Sequence, residues 1–300
     1  HERARGFARL VNGINPLVSP QAQLILNNKL LFANFCNKLS ISTPELYDET
    51  MLPQDHYIIC KPVDSFSGRG ISVFNGNDVH GKRRAANYAR DASPSARILF
   101  QQYIDGDLYS YSAFYSNHTL ITEVIVREGN DQHSFAVSKS YLATNLNGEM
   151  VDKIRKVAAH IHNHLSLSVG FLHIQWLLVG EDYYVLEATA RCPGDLYPEL
   201  IRLSLGTDYS DVYTAAYLNK SPLHTVRESP AQFVLRKTLK RKTPGIFLGL
   251  TEKESDGVEV SYPCVEIGHE IGLEPVRVAI TFSRFTSLQE IEHAFSDFLV

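Results

Sequence analysis

Residues 170–195, GFLHIQWLLVGEDYYVLEATARCPGD, limit the fold of this chain more than any other stretch. Two runs rich in β-branched and aromatic residues, FLHIQWLLV and YYVLEATAR, flank the turn signal Gly180-Glu181-Asp182. That is the pattern of an antiparallel hairpin with a short loop. Pairing Val179 with Tyr183 across this loop sets Gln175 opposite Glu187 and His173 opposite Thr189. Side chains alternate faces along a strand. One face then carries Leu172, Ile174, Trp176, Leu178, Tyr184, Leu186, Ala188 and Ala190, and the other His173, Gln175, Glu187, Thr189 and Arg191. Facing side chains on paired strands sit ~4.5–5.5 Å apart. Gln175 and Glu187 can therefore share one small hard cation, such as Mg²⁺, through their oxygens. A half-buried sheet with one wet face shows the same alternation and needs no ligand.

The run that follows separates these readings. E-A-T-A-R-C-P-G-D resembles the E-x-N-x-R segment of the ATP-grasp superfamily. The preceding H-I-Q-W resembles the metal-ligand strand of its carbamoyl-phosphate-synthetase and biotin-carboxylase-like branch of carboxylate–amine ligases. The resemblance implies that Gln175 and Glu187 bridge the nucleotide's Mg²⁺ (or Mn²⁺), and that Arg191 is the motif's arginine. Thr189 stands where the motif's asparagine usually is, among the implied metal ligands, and the number of ions, one or two, stays open.

Three hundred residues are enough for one large domain or two ordinary ones. The 44% hydrophobic and 21% charged residues are those of a globular protein. Net charge is −4, from 29 basic and 33 acidic residues, which gives no electrostatic case for nucleic acid or an anionic membrane. No apolar run approaches the ~20 residues of a membrane span, and no signal peptide opens the chain. Cys36, Cys60, Cys192 and Cys264 lack metal-ligand spacing and fit reduced thiols in a cytoplasmic protein. The chain opens on His1 rather than methionine, so residues 1–20 are expected to be the remnant of a preceding domain or linker.

Residues 20–39 read as one helix with Pro20 near its start and Leu24, Leu31, Phe35 and Leu39 as its apolar stripe. By the resemblance, Lys29 early in this helix reaches the phosphates. Next, HYIICKPVDSFSGRGISVF places a polar, glycine-containing loop between two strands. Such a loop can cradle phosphate oxygens with backbone N–H groups, though it is no Walker loop. It resembles the ATP-grasp lid, which implies Lys61 on the α/β-phosphates and Ser67, Gly68, Arg69 and Gly70 over the nucleotide. ILFQQYIDGDLYSYSAFY matches the corner where the family grips adenine with backbone groups, here at Gln102 and Ile104, with Asp107 on the ribose. Lys139, in the strand SFAVSKSYLA, matches a basic residue that faces the transferred phosphate.

Residues 151–165 form an amphipathic helix. Its His160 and His164 have no third ligand nearby and read as a solvated face. After the hairpin, 196–206 and 208–219 are helices, with Asp195 as N-cap of the first and a possible anion site beside Arg191. Cys192 has no neighbouring base in sequence and reads as packing. Residues 220–231 read as a linker, and 231–300 as a small β-rich C-terminal subdomain without chemistry of its own.

Four motifs in order over residues 15–220 carry the resemblance. It implies an α+β ATP-grasp fold: two α/β lobes with antiparallel sheets clasping ATP, spanning 21–220, with the lid-bearing lobe at about 45–105. The implied activity is an ATP-dependent ligase that converts a small-molecule carboxylate to an acyl phosphate and passes it to an amine or similar nucleophile. A phosphotransferase on the same fold and a catalytically degenerate ATP-binding module are the alternatives. A triphosphate of about −4 charge needs cations around it, and Lys29, Lys61, Arg191 and a metal on Gln175 and Glu187 meet that need. Oligomeric state is not legible.

Overall fold

The computed structural model describes residues 18–116, 118–131, 134–167, 169–218 and 231–296. Nearly all of the expected remnant (1–20) and of the expected linker (220–231) lies outside the described residues.

The described chain enters through α1 (Pro20–Leu26) and α2 (Lys29–Lys38), where the sequence reading expects a single helix. Asn28 makes the break. It is extended (φ −126°, ψ 111°), and its side chain accepts from the N–H groups of Leu30 and Leu31 at 3.1 and 3.0 Å. An asparagine that caps a new helix does not continue the old one. The break leaves Leu24 exposed and sets Lys29 at the start of α2, its backbone N–H donating to Val63 O at 2.8 Å.

Four antiparallel strands follow, β1 (Leu46–Tyr47), β2 (Tyr57–Pro62), β3 (Ser72–Asn75) and β4 (Ile98–Gln102), in the order β1-β4-β2-β3. Alternation along β2 sends Ile58 and Cys60 into a core with Ala85, Ala86 and Ala89 of α3 (Val79–Asp91). Ile59 and Lys61 point the other way, into a cleft.

The second sheet is larger. It contains β5 (Asp107–Ser116), β6 (Thr119–Asn130), β7 (Val137–Leu142), β8 (Val169–Val179) and β9 (Asp182–Thr189). Three C-terminal strands join them, β10 (Phe233–Arg241), β12 (Val258–Pro263) and β14 (Val276–Phe285); β11 (Gly245–Ile246) and β13 (Glu270–Ile271) form a separate ribbon. The order is β12-β14-β10-β7-β6-β5-β8-β9, antiparallel throughout. The main core joins this sheet to α1, α2, α4 (Gly148–His164), α5 (Tyr197–Leu205) and α6 (Tyr209–Tyr217), around the fully buried Trp176, Ile174 and Leu172. A short α7 (Glu252–Ser255) precedes β12, and α8 (Leu288–Ser296) packs Ile291 against Tyr141 and Leu235. No described helix is long and apolar enough to cross a membrane.

The stretch expected as a small β-rich C-terminal subdomain, 231–300, contributes three strands to the larger sheet. β10 pairs with β7 through Arg236↔Ser140 and Lys237↔Lys139. The edge of β7 offers a row of backbone N–H and C=O groups that another strand satisfies. Composition does not show this, because a strand that joins a distant sheet and one that stays local read alike.

The hairpin of β8 and β9 has the expected pairs Gln175↔Glu187 and His173↔Thr189, reached by a different route. Val179 pairs with Asp182, so the turn is Gly180-Glu181, and Gly180 takes φ 60°. Trp176 then pairs with Val185, and Leu186 is the extra residue of a bulge that restores the register. Tyr183 and Val185 pack into the core in place of the expected Tyr184 and Leu186. Leu186 turns to the cleft instead.

Candidate active site

A cleft of about 510 Å³ is lined by residues of both sheets and of the loops between them. At one end β2 presents Lys61, which is 8% exposed and donates to Gln101 Oε1 at 3.1 Å. Burial, then the charge of Lys29, push the Lys61 ammonium down to about 8, against the opposing pull of Glu187. Lys29 spans the gap to β9: its Nζ donates to Ser65 O at 2.7 Å and lies 3.3 Å from Glu187 Oε2. Burial raises the Glu187 carboxyl, but Lys29, Lys61 and His173 outweigh it and hold it below the ordinary value.

The loop after β2 forms the roof through Ser65, Phe66, Ser67, Gly68 and Arg69. Ser67, Gly68 and Gly70 have φ of 56°, 69° and 75°. Gly68 is dictated twice, by its backbone angle and by space. A Cβ there would lie 2.5 Å from the carbonyl carbon of Phe135, in the loop between β6 and β7. Gly70 does not face the cleft as expected; it packs against Ala92 and Pro62 at the base of the loop. Gln102 and Ile104 line the cleft beside Leu108, Leu177 and Leu186, which give that end an apolar wall.

The floor is a row across the larger sheet. Cross-strand registers set Arg236 beside Ser140, Ser140 beside Glu128, Ser110 beside Gln175, and Gln175 beside Glu187. Gln175 Nε2 donates to Glu128 Oε2 at 2.7 Å, which leaves the amide oxygen as its free acceptor. Glu128 is 4% exposed, and burial raises its carboxyl to about 7, although Ser110, Gln175 and Arg236 pull it down. Burial and Arg191 push the His173 imidazole down to about 4, so it stays neutral, with Nδ1 and Ser112 Oγ 2.7 Å apart. Arg236 is 1% exposed; its Nε donates to Asp195 O at 2.7 Å and its Nη2 to Thr238 Oγ1 at 3.0 Å. Arg191, also in the lining, donates from Nη1 to Cys192 O at 3.1 Å.

A family model of the ATP-grasp domain matches residues 26–195. The chain belongs to the ATP-grasp family. Solved structures agree on the fold. An L-amino acid ligase from Bacillus licheniformis superposes with a TM-score of 0.76 at 16% identity, over 91% of this chain and 70% of that one. The biotin carboxylase domain of a 2-oxoglutarate carboxylase from Hydrogenobacter thermophilus gives 0.71 at 12% identity, over 97% and 70%. N5-carboxyaminoimidazole ribonucleotide synthetase from Thermus thermophilus gives 0.64 at 17% identity, over 97% and 77%. The α+β class and the antiparallel sheets facing a cleft are those of an ATP-grasp fold.

Of the residues singled out in the sequence, Lys29, Lys61, Ser67, Gly68, Arg69, Gln102, Ile104, Gln175, Glu187, Thr189 and Arg191 line this ATP-grasp cleft. Two others do not. Lys139 lies on the opposite face of β7, its Nζ donating to Phe295 O and sitting 4.8 Å from the Phe295 ring centre; alternation gives the cleft to Ser140. Asp107 is the first residue of β5 and pairs with Arg127 on the face away from the cleft, whereas Asp105 lines it.

Asp195 is not the N-cap of α5. Leu196 holds that position without a side-chain cap, and both have left-handed φ, 57° and 56°. The Asp195 carboxylate instead takes Arg277 at 2.6 Å and Arg236 at 3.5 Å. Cys192 is buried, and its thiol is pushed up to about 12 by burial, in line with packing.

Sequence reasoning missed Glu128, Asn130, Ser140, Tyr197 and Arg236, all in the lining. The donor set fits a divalent cation beside phosphates: Gln175 offers an oxygen, Glu187 a carboxylate, and Lys29, Lys61 and Arg69 positive charge. The Thr189 hydroxyl supports this, being buried in the lining without a hydrogen-bond partner among the described residues. Such a group calls for a ligand.

Proposed function

We propose that this ATP-grasp chain is an ATP-dependent ligase: it activates a small-molecule carboxylate as an acyl phosphate for attack by an amine or similar nucleophile, releasing ADP and phosphate. The observation that carries this reading is the two sets of cations in the cleft's lining. Lys29, Lys61 and Arg69 form one; Arg191 and the buried Arg236 form the other. A triphosphate occupies the first and leaves the second for another anion.

In this mechanism the apolar wall of Leu108, Leu177 and Leu186 takes the base, and Asp105 the ribose. Lys61 and Lys29 hold the phosphates, and the lid excludes water. Mg²⁺ or Mn²⁺ on Gln175 and Glu187 would offset phosphate charge during transfer. Arg236 anchors the carboxylate and Arg191 meets the charge that grows on it. The carboxylate oxygen attacks the γ-phosphorus and ADP leaves; the nucleophile's nitrogen then attacks the acyl carbon and phosphate leaves. Orientation and preorganised charge are the chain's contribution to both steps. Its free cysteines suit the cytoplasm.

The test is ADP release across carboxylate–amine pairs, with hydroxylamine as a general trap for acyl phosphate. ADP and hydroxamate formed only with a carboxylate present support the ligase. Nucleotide binding without turnover would assign a binding module, and a phosphorylated alcohol as product would assign a phosphotransferase.

A further inference from the structure

We infer that the carboxylate substrate carries its own protonated amine, and that Glu128 with Asn130 forms the subsite that holds it. This rests on the ligase reading above and names its substrate class as amino acids.

The floor row supplies the geometry. Arg236 pairs with Ser140 and Ser140 with Glu128, so Arg236 and Glu128 stand two strands apart on the cleft side. Adjacent strands are ~4.8 Å apart, and the long Arg236 side chain shortens the remaining gap. A carboxylate on Arg236 therefore has Glu128 within reach of a substituent on its neighbouring carbons.

Glu128 is 4% exposed; the charge of Arg236 acts on it, but no cation among the described residues is in ion-pair contact with it. Its carboxylate accepts from the neutral Gln175 amide at 2.7 Å. A buried carboxylate whose contacting donors are all neutral favours a cation beside it. Asn130, two residues along β6, lines the same cleft, and its Oδ1 is buried without a hydrogen-bond partner among the described residues. That oxygen only accepts. A buried anion and an unfilled acceptor together specify a cationic N–H donor. Phe135, Ala136 and Val137 beside it provide an apolar wall for the rest of the molecule.

The experiment uses the full chain saturated with Mg²⁺ and a non-hydrolysable ATP analogue, titrated calorimetrically. Probes are the common L-amino acids, β-alanine and γ-aminobutyrate. The best binder is then compared with the same carboxylic acid lacking the amine, and with its N-acetyl form. Losing a charge-assisted bond to a buried group weakens binding by about tenfold or more, so the amino acid should win by at least that factor. Glu128→Gln should bring the ratio close to one, and Asn130→Leu should reduce it severalfold. Reading the ratio cancels any general loss of nucleotide affinity. Three results would overturn the inference: no amino acid binding, equal binding of the amine-free acid, or an unchanged ratio in both variants. Tighter binding of the amine-free acid when methylamine is added would also overturn it, by assigning the subsite to the nucleophile. Failure of the nucleotide analogue to bind in the first titration would instead strike the ligase reading itself.

Discussion

Lys61 shows how a binding residue is tuned by its surroundings. Its ammonium is pushed down from 10.5 to about 8, by burial first and Lys29 second. Bound phosphates favour the charged form and raise it again. Nucleotide binding above pH 8 should therefore take up a proton, and affinity should fall by up to about tenfold per pH unit above that point. Calorimetry in buffers of different ionisation heat would show the uptake, and Lys61→Met should abolish it. Glu128 gives the opposite sign. Its folded value of about 7 exceeds the ordinary 4.5, so the folded protein retains a proton that the unfolded chain releases. Stability conferred below pH 4.5 is lost as pH rises through 7, a change of up to about 3 kcal/mol. Glu128→Gln should then raise the melting temperature at pH 8 more than at pH 4.5, and equal gains at both would refute this origin. Neither residue is equally visible in the sequence. Lys61 sits next to a glycine loop that marks it. Glu128 follows Arg127 in an ordinary strand, 47 positions from the Gln175 it contacts, and nothing local marks it.

Among the elements, the hairpin was the most legible, because period-two alternation fixes which residues share a face. Its polar set was readable for that reason. The bulge was not, since Leu186 is as apolar as the core residue that alternation demands. Deleting Leu186 should slip Val185 or Glu187 out of register and turn the polar set inward. We expect loss of nucleotide binding together with a large fall in melting temperature, and a deletion variant that binds normally would refute the bulge. The same alternation explains the errors at Asp107 and Lys139, each one residue from a cleft position. The lid makes a cleaner test. Gly68→Ala places a methyl 2.5 Å from the Phe135 carbonyl carbon at a φ of 69°. The roof should fail to seat, raising the KM for ATP by about tenfold or more, as expected for ~1.4 kcal/mol or more of lost closure. Because the loop is at the surface, the melting temperature should barely move. Thermal unfolding beside steady-state kinetics separates the two effects.

Across the whole molecule, the larger sheet ties the two sets of cations together. Lys29 and Glu187 meet at its β9 edge, and Arg236 comes from β10, with five strand-to-strand steps between β9 and β10. Arg236 was illegible because Leu-Arg-Lys in a strand is unremarkable, and its neighbours Asp195 and Arg277 are 41 and 82 residues from their partners. Ending the chain at residue 230 would remove β10, β12 and β14 and expose the edge of β7. Such a protein should aggregate on size-exclusion chromatography and release no ADP. A monodisperse and active truncation would show that the C-terminal strands are dispensable.

That order of strands also has a consequence in time. A ribosome releases β5 to β9, with Lys29, Lys61 and Glu187 already made, well before β10 emerges. On the ligase reading, a nascent chain can hold nucleotide while the anchor for its second substrate is still unsynthesised. On that reading, turnover would wait until β10 has paired with β7 and brought Arg236 to the cleft.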